Sequence, residues 1–156
     1  MKKEVEEFLK ENNAIEGVFD DDSLQQANVA WDYLMSCVAL SPGVILKTHK
    51  LLMLHQNLSP IEKGYFRNIT VYIGGKPAIN ALHIPERIEK WCVDGMKENI
   101  DPKKLHIEYE KIHPFVDGNG RTGRMFMNWQ RIKRLKQPLL IIHTGKEQFE
   151  YYKWFK

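Results

Sequence analysis

Cysteine is scarce in this chain of 156 residues: only Cys37 and Cys92 occur, both within apolar helical patterns. A disulfide-stapled scaffold is therefore excluded, and two reduced core thiols in a reducing compartment are expected. Long apolar runs are absent, so no membrane span or membrane partner is expected. The first residues, Met1-Lys2-Lys3-Glu4-Val5-Glu6-Glu7, mix both charges and lack the apolar core of a signal peptide, which points to a cytoplasmic protein. There is no basic run, and the net charge is only +3. That argues against a nucleic-acid partner. Repeats, low-complexity tracts and long linkers are missing too, so residues 1–156 read as one domain with a sizeable core. The acidic run Asp20-Asp21-Asp22-Ser23 lacks the spacing of a calcium loop and reads as a helix cap. His49 and His55 have no Cys, Asp or Glu at ligand spacing, which argues against a metal site there.

What the chain does have is concentrated in residues 113–124, His-Pro-Phe-Val-Asp-Gly-Asn-Gly-Arg-Thr-Gly-Arg. Leu105, Tyr109 and Ile112 recur at helical spacing before it, and Met125, Trp129 and Ile132 after it. The motif is thus a tight loop that opens a helix. A helix start offers free N–H groups and a positive dipole end, which favour an anion. Gly118 and Gly120 permit positive φ and close approach of a ligand to the backbone, as in a phosphate nest. Arg121 and Arg124, three apart, share a helical face that can meet two phosphates. Asp117 is a hard oxygen donor suited to Mg²⁺ alongside substrate phosphates. His113 can serve as a general base near neutral pH. Singly, a His before Pro is most often structural, a Gly-Asn-Gly run a turn, and two helical arginines solvated. Their occurrence together outweighs those readings. The Gly118-x-Gly120-x-x-Gly123 spacing also fits a dinucleotide fingerprint, but a helix and not a strand precedes it. No Gly-Lys-Ser/Thr closes the run, so it is not a P-loop either.

At every fixed position the stretch resembles the Fic-domain signature, His-Pro-Phe-x-Asp/Glu-Gly-Asn-Gly-Arg-x-x-Arg. The resemblance implies a mainly helical (all-α) bundle with a small β-hairpin flap. It also implies transfer of AMP from ATP to a Ser, Thr or Tyr hydroxyl of a target protein. His113 would be the base, Asp117 would hold Mg²⁺, and Gly118, Asn119, Gly120, Arg121 and Arg124 would hold the phosphates. Asn119 and the loop N–H groups would stabilise charge on the α-phosphate.

Other segments fit the same family. Residues 1–18 begin with a charged helix (3–11) that carries Val5, Phe8 and Leu9 on one side, with Gly17 as a stop. Asn12 to Gly17 resembles the family's inhibitory motif, Ser/Thr-x-x-x-Glu-Gly/Asn, with Asn12 in place of Ser or Thr. Glu16 would then pair with Arg124 and obstruct the γ-phosphate. Ala27, Trp31, Leu34 and Val38 predict a helix ending near Ser41-Pro42-Gly43, and a further helix spans about 44–57 with Ile45 and Leu52 inward. Residues 64–77 contain an alternating β-branched and aromatic run, Ile69 to Ile73, and then Gly74-Gly75, the pattern of a hairpin. By resemblance this is the flap, and Thr70, Val71, Tyr72 and Ile73 would dock the target by strand addition. Pro85 and Asp101-Pro102 start two more helices. Past the signature, Arg121, Arg124, Asn128 and Arg131 predict a polar face opposite the apolar one. In the tail, Tyr152 of the Tyr151-Tyr152 pair is the candidate contact for adenine. A Glu beside such a site can instead activate water and remove AMP from a modified protein. A nucleotide-binding regulatory module of toxin–antitoxin type is the non-catalytic alternative. Homo-oligomerisation is left open.

Overall fold

The computed structural model describes residues 2–156. Seven α-helices and one two-stranded hairpin follow in order: α1 Lys3–Ile15, α2 Asp21–Ser36, α3 Pro42–Leu52, β1 Tyr72–Ile73, β2 Lys76–Pro77, α4 Ile84–Asp94, α5 Pro102–Ile112, α6 Asn119–Trp129 and α7 Lys146–Tyr152. The helical bundle with a small hairpin is as the sequence implies. No helix among the described residues is long and apolar enough to cross a membrane.

Capping chemistry sets most boundaries. Asp20 accepts from the Ser23 N–H at 2.9 Å and starts α2. Ser41 accepts from the Val44 N–H at 3.2 Å, and Pro42 follows it in the first turn of α3. Asp101 caps α5 in the same way, accepting from the Lys104 N–H at 3.2 Å. Ser41-Pro42-Gly43 therefore opens a helix and does not close one. α2 stops earlier, at Ser36, and Val38 is 93% exposed, so it is not part of the buried stripe. α3 likewise ends at Leu52, short of the expected limit near residue 57. α1 runs further than expected, to Ile15, and ends before Gly17, which takes a positive φ of 72°.

α6 is the axis of the core. Phe8 and Leu9 of α1, Trp31 and Leu34 of α2, Ile45 of α3, Trp91 of α4 and Tyr109 of α5 are buried in one cluster with its Phe126 and Trp129. Every residue from Arg121 to Gln130 is buried. Of the expected polar face, Arg121, Arg124 and Asn128 are buried and Arg131 is half-buried, because neighbours cover this helix. Several of its polar side chains find partners within the protein. Thr122 meets the Tyr109 hydroxyl at 2.8 Å. Asn128 clasps the tail, donating to Leu140 O at 3.0 Å and accepting from Leu140 N at 2.7 Å. Gly123 lets α5 approach: a Cβ there would stand 2.8 Å from His106 Cε1 and 2.9 Å from Tyr109 Cδ1.

The hairpin is shorter than the alternating run suggested. Tyr72 pairs with Pro77 and Ile73 with Lys76, and the Ala78 N–H extends the ladder by donating to Val71 O at 2.8 Å. Thr70 and Val71 lie outside the strands. Both cysteines are free thiols; Cys92 is buried and Cys37 is half-buried at the C-terminal cap of α2.

Candidate active site

α5 ends at His113, which takes a left-handed backbone conformation (φ 49°, ψ 64°) that turns the chain into the loop. Its Nδ1 lies 3.1 Å from Glu110 O. A carbonyl can only accept, so Nδ1 carries the proton and Nε2 keeps its lone pair. Burial, reinforced by the Arg67 cation, holds the imidazole below its ordinary pKa, against the opposing pull of Glu16 and Asp117. His113 is therefore a neutral base poised at the wall of a cavity of about 500 Å³.

The loop is held rigid from behind. Phe115 is buried and stacks on His49, ring centroids 3.7 Å apart and planes 6° from parallel. His49 Nδ1 accepts from the Gly64 N–H at 3.0 Å, so its Nε2 donates to Asp117 O at 2.8 Å. Burial drives this imidazole down to about 4, and it stays neutral. Both ends of the Asn119 amide close on Phe115: its Oδ1 accepts from Phe115 N and its Nδ2 donates to Phe115 O, each at 2.8 Å. The carbonyl and one N–H of this amide are thereby committed to shaping the loop.

Gly118 has φ +87° and precedes α6, while Gly120 is helical. At Gly120 two flexible side chains close over the backbone: a Cβ there would come 2.5 Å from Glu16 Oε1 and 2.9 Å from Arg124 Nη1 and would push their charged ends aside. The first N–H groups of α6 have no intrahelical acceptor and form an anion seat beside the cavity.

The two arginines part company. Arg124 lines the cavity with every guanidinium nitrogen engaged, Nε to Asn12 Oδ1 at 2.6 Å, Nη1 to Tyr151 Oη at 3.1 Å and Nη2 to Glu16 Oε1 at 2.8 Å. Arg121 does not line it. Its side chain is 2% exposed, its Nη2 reaches Met53 Sδ at 3.3 Å and lies 3.8 Å from Asp117 Oδ2, and its Nε and Nη1 have no partner. The expected shared face for two phosphates is not present, because the neighbours of α6 direct the two side chains to different environments.

Asn12 does more than fill the place of a hydroxyl residue. Besides accepting from Arg124, its Nδ2 donates to Arg121 O at 3.0 Å, so one amide fixes α1 to both arginine positions of α6. Asp117 is exposed at the cavity wall, and its Oδ1 accepts from the Gly118 N–H at 2.8 Å. Ile73 is the one flap residue of the four expected that lines the cavity; Thr70, Val71 and Tyr72 lie outside its wall. Tyr152 is on the wall, half-exposed, with its hydroxyl accepting from Gln148 Nε2 at 3.0 Å.

Reading the sequence missed Tyr151, Glu110 and Arg67. The buried Tyr151 hydroxyl accepts from Arg124 and is hydrogen-bonded to His106 Nε2, 2.7 Å away. Its adjacency to Tyr152 was the available signal. Glu110 shares the cavity wall, its Oε1 is shielded without a partner, and burial lifts its carboxyl to about 7. Nothing in the pattern of α5 distinguishes it from a solvated glutamate.

A family model described as "Fic/DOC family" matches residues 39–130. The chain belongs to the Fic/DOC family. Among curated proteins, it is 31% identical to the "Protein adenylyltransferase Fic" of Drosophila melanogaster, over 95% of this chain and 30% of that protein. The namesake from Drosophila grimshawi is 30% identical over 92% of this chain and 30% of its own length. The chain thus spans about a third of the curated relatives it matches. Among solved structures, Fic-1 (residues 134–508) from C. elegans superposes with a TM-score of 0.76 at 23% identity, covering 98% of this chain and 55% of that one. A Fic-domain-containing signaling protein from Bacteroides thetaiotaomicron gives a TM-score of 0.75 at 19% identity, covering 95% of this chain and 69% of that one. These likenesses establish the Fic/DOC fold for nearly all of the chain.

Proposed function

We propose that this protein transfers AMP from ATP to a hydroxyl of a protein target, and that Glu16 restrains the reaction. The observation that carries the reading is a neutral His113 and the free start of α6 facing one cavity, with the carboxylate of Glu16 lying over Gly120 and paired to Arg124 at 2.8 Å. A carboxylate on that seat occupies the place that suits a phosphate.

In this reaction the acceptor oxygen attacks the α-phosphorus. His113 Nε2 takes its proton, the bond from the α-phosphorus to the bridging oxygen breaks, and pyrophosphate leaves. The N–H groups at the start of α6 stabilise the charge spread over the phosphate oxygens. Arg124, freed from Glu16, holds the terminal phosphate. Mg²⁺ fits the donor set: Asp117 is one exposed carboxylate beside the anion seat, and this ion typically uses one or two carboxylates plus substrate phosphates. It would supply charge neutralisation to the phosphates. Ile73 at the mouth is the flap's contribution, with the target strand laid along the hairpin edge. Tyr152, on the aromatic part of the wall, is the base contact.

The test is Glu16→Gly with α-labelled ATP and magnesium, read as self-modification and as intact mass. A hydrogen bond to a charged group contributes roughly 1.5–3 kcal/mol, so release should raise transfer about 10- to 100-fold. No rise would remove the restraining role. His113→Ala in that background should abolish transfer and leave ATP binding intact.

The place of Glu16 on the cavity wall also favours a second reading, in which it activates water and AMP is removed from a modified protein. Incubation of the unmutated protein with an AMP-modified substrate, followed by release of free AMP, separates the two.

A further inference from the structure

Arg67 lies between α3 and the hairpin, is 4% exposed and does not line the cavity. Its guanidinium meets four main-chain carbonyls. Nε donates to His113 O at 2.7 Å, Nη1 to Ile69 O at 2.8 Å, and Nη2 to Ile79 O at 2.7 Å and Ile112 O at 3.3 Å. Its own N–H donates to Pro114 O at 2.9 Å. Two of these acceptors, Ile69 and Ile79, are the roots on either side of the hairpin. The other two are the last residue of α5 and His113 itself.

This is an unusual use of a buried cation. No carboxylate among the described residues pairs with it, and burial pushes it below its ordinary value. Only a planar fork with five donors can reach so many carbonyls on two separate segments at once. One of its two shortest bonds goes to His113 O, and His113 is a non-glycine residue in the left-handed region, a backbone state that needs its surroundings to hold it.

We infer that Arg67 is a positioning residue for the transfer step: it fastens both roots of the flap to the backbone of the histidine that takes the acceptor's proton. The inference rests on the transfer reading above and deepens it. The flap brings the hydroxyl and His113 takes its proton, so their separation must be fixed; one guanidinium spans both. Because Arg67 is off the cavity wall, nucleotide binding does not depend on it.

Two variants test this in the Glu16→Gly background. Arg67→Lys keeps the charge but reaches fewer carbonyls, and Arg67→Gln loses the charge as well. Thermal melts first establish that each is folded. The groups around the His113 imidazole are Glu16 from α1, the Glu110 carbonyl on its own helix, Asp117 from the loop and Arg67 from the flap root. Its titration is followed by NMR on histidine-labelled protein. Self-modification with α-labelled ATP should fall about 100-fold in both variants, the scale expected for displacement by an ångström. Affinity for a non-hydrolysable ATP analogue with magnesium, by calorimetry, should not change. The His113 titration should move up in Arg67→Gln and stay in place in Arg67→Lys. Parental rates in both variants would overturn the inference, as would a parallel loss of rate and nucleotide affinity, which marks a residue that merely maintains the fold. If the Glu16→Gly parent itself transfers nothing, the transfer reading falls first and the role of Arg67 falls with it.

Discussion

Glu110→Gln should make the protein more stable at pH 8 and leave it unchanged at pH 4.5. Glu110 sits on the cavity wall with Oε1 shielded and unpartnered. Burial raises its pKa from 4.5 to about 7, with a further push from Glu16 and an opposing pull from Arg124. Below pH 4.5 the carboxyl is protonated in folded and unfolded chains alike and costs nothing. Between 4.5 and about 7 the unfolded chain loses its proton first, so stability falls as pH rises. Above that range both states are ionised and the folded state carries the whole penalty. At about 1.4 kcal/mol per pH unit, the interval comes to about 3 kcal/mol. Part of the side chain meets the cavity, so this figure is a ceiling. Glutamine has the same shape and no charge at any pH. For a domain of this size, about 2–4 °C per kcal/mol gives a gain in Tm of up to roughly 10 °C at pH 8. The assay is a set of thermal melts of both proteins from pH 4.5 to 8. An equal gain at both ends would refute the titration argument. A loss at pH 8 would show that attraction to Arg124 outweighs burial.

Three further outcomes follow from named contacts. The transfer rate of the Glu16→Gly variant should gain its activity on the acid side below pH 6.5, because burial lowers the His113 imidazole; an inflection above that value would contradict a buried neutral base. His143 bridges Glu7 of α1 at 2.7 Å and Glu147 at 2.8 Å, and those hydrogen bonds raise it to about 9. Its folded pKa lies above the ordinary 6.5, so its stabilisation is full below pH 6.5 and lost as pH rises through about 9; the Tm gap between the parent and His143→Gln should close over that window. Gly123→Ala should destabilise by about 1–3 kcal/mol in urea melts, because its Cβ would meet the rings of His106 and Tyr109 at under 3 Å; a neutral result would mean that α5 can move aside freely.

Much of the site was legible because its chemistry is local. The run from His113 to Arg124 contains its own turn, glycines and helix start. The pairing of Glu16 with Arg124 is not local and came from the resemblance to the family's inhibitory motif; the ion pair is present at 2.8 Å. Local pattern misled where the partner lay far along the chain. Thr70 and Val71 read as strand, since the run is β-branched, yet the pairing thins to the single bond from Ala78 N–H to Val71 O and goes no further.

The sequence by itself determined the helical class, the helix starts at Asp20 and Asp101, and the membership of the loop from His113 to Arg124, because each depends on residues a few positions apart. Only the tertiary structure decided which polar groups are spent on the fold and which remain for a ligand. α6 is enclosed on every side, so the same helix buries Arg121 behind the loop and turns Arg124 into the cavity. Burial, which no window of sequence specifies, also sets the charge state of Glu110, His49 and His113 and brings Arg67 against the backbone of the histidine it steadies.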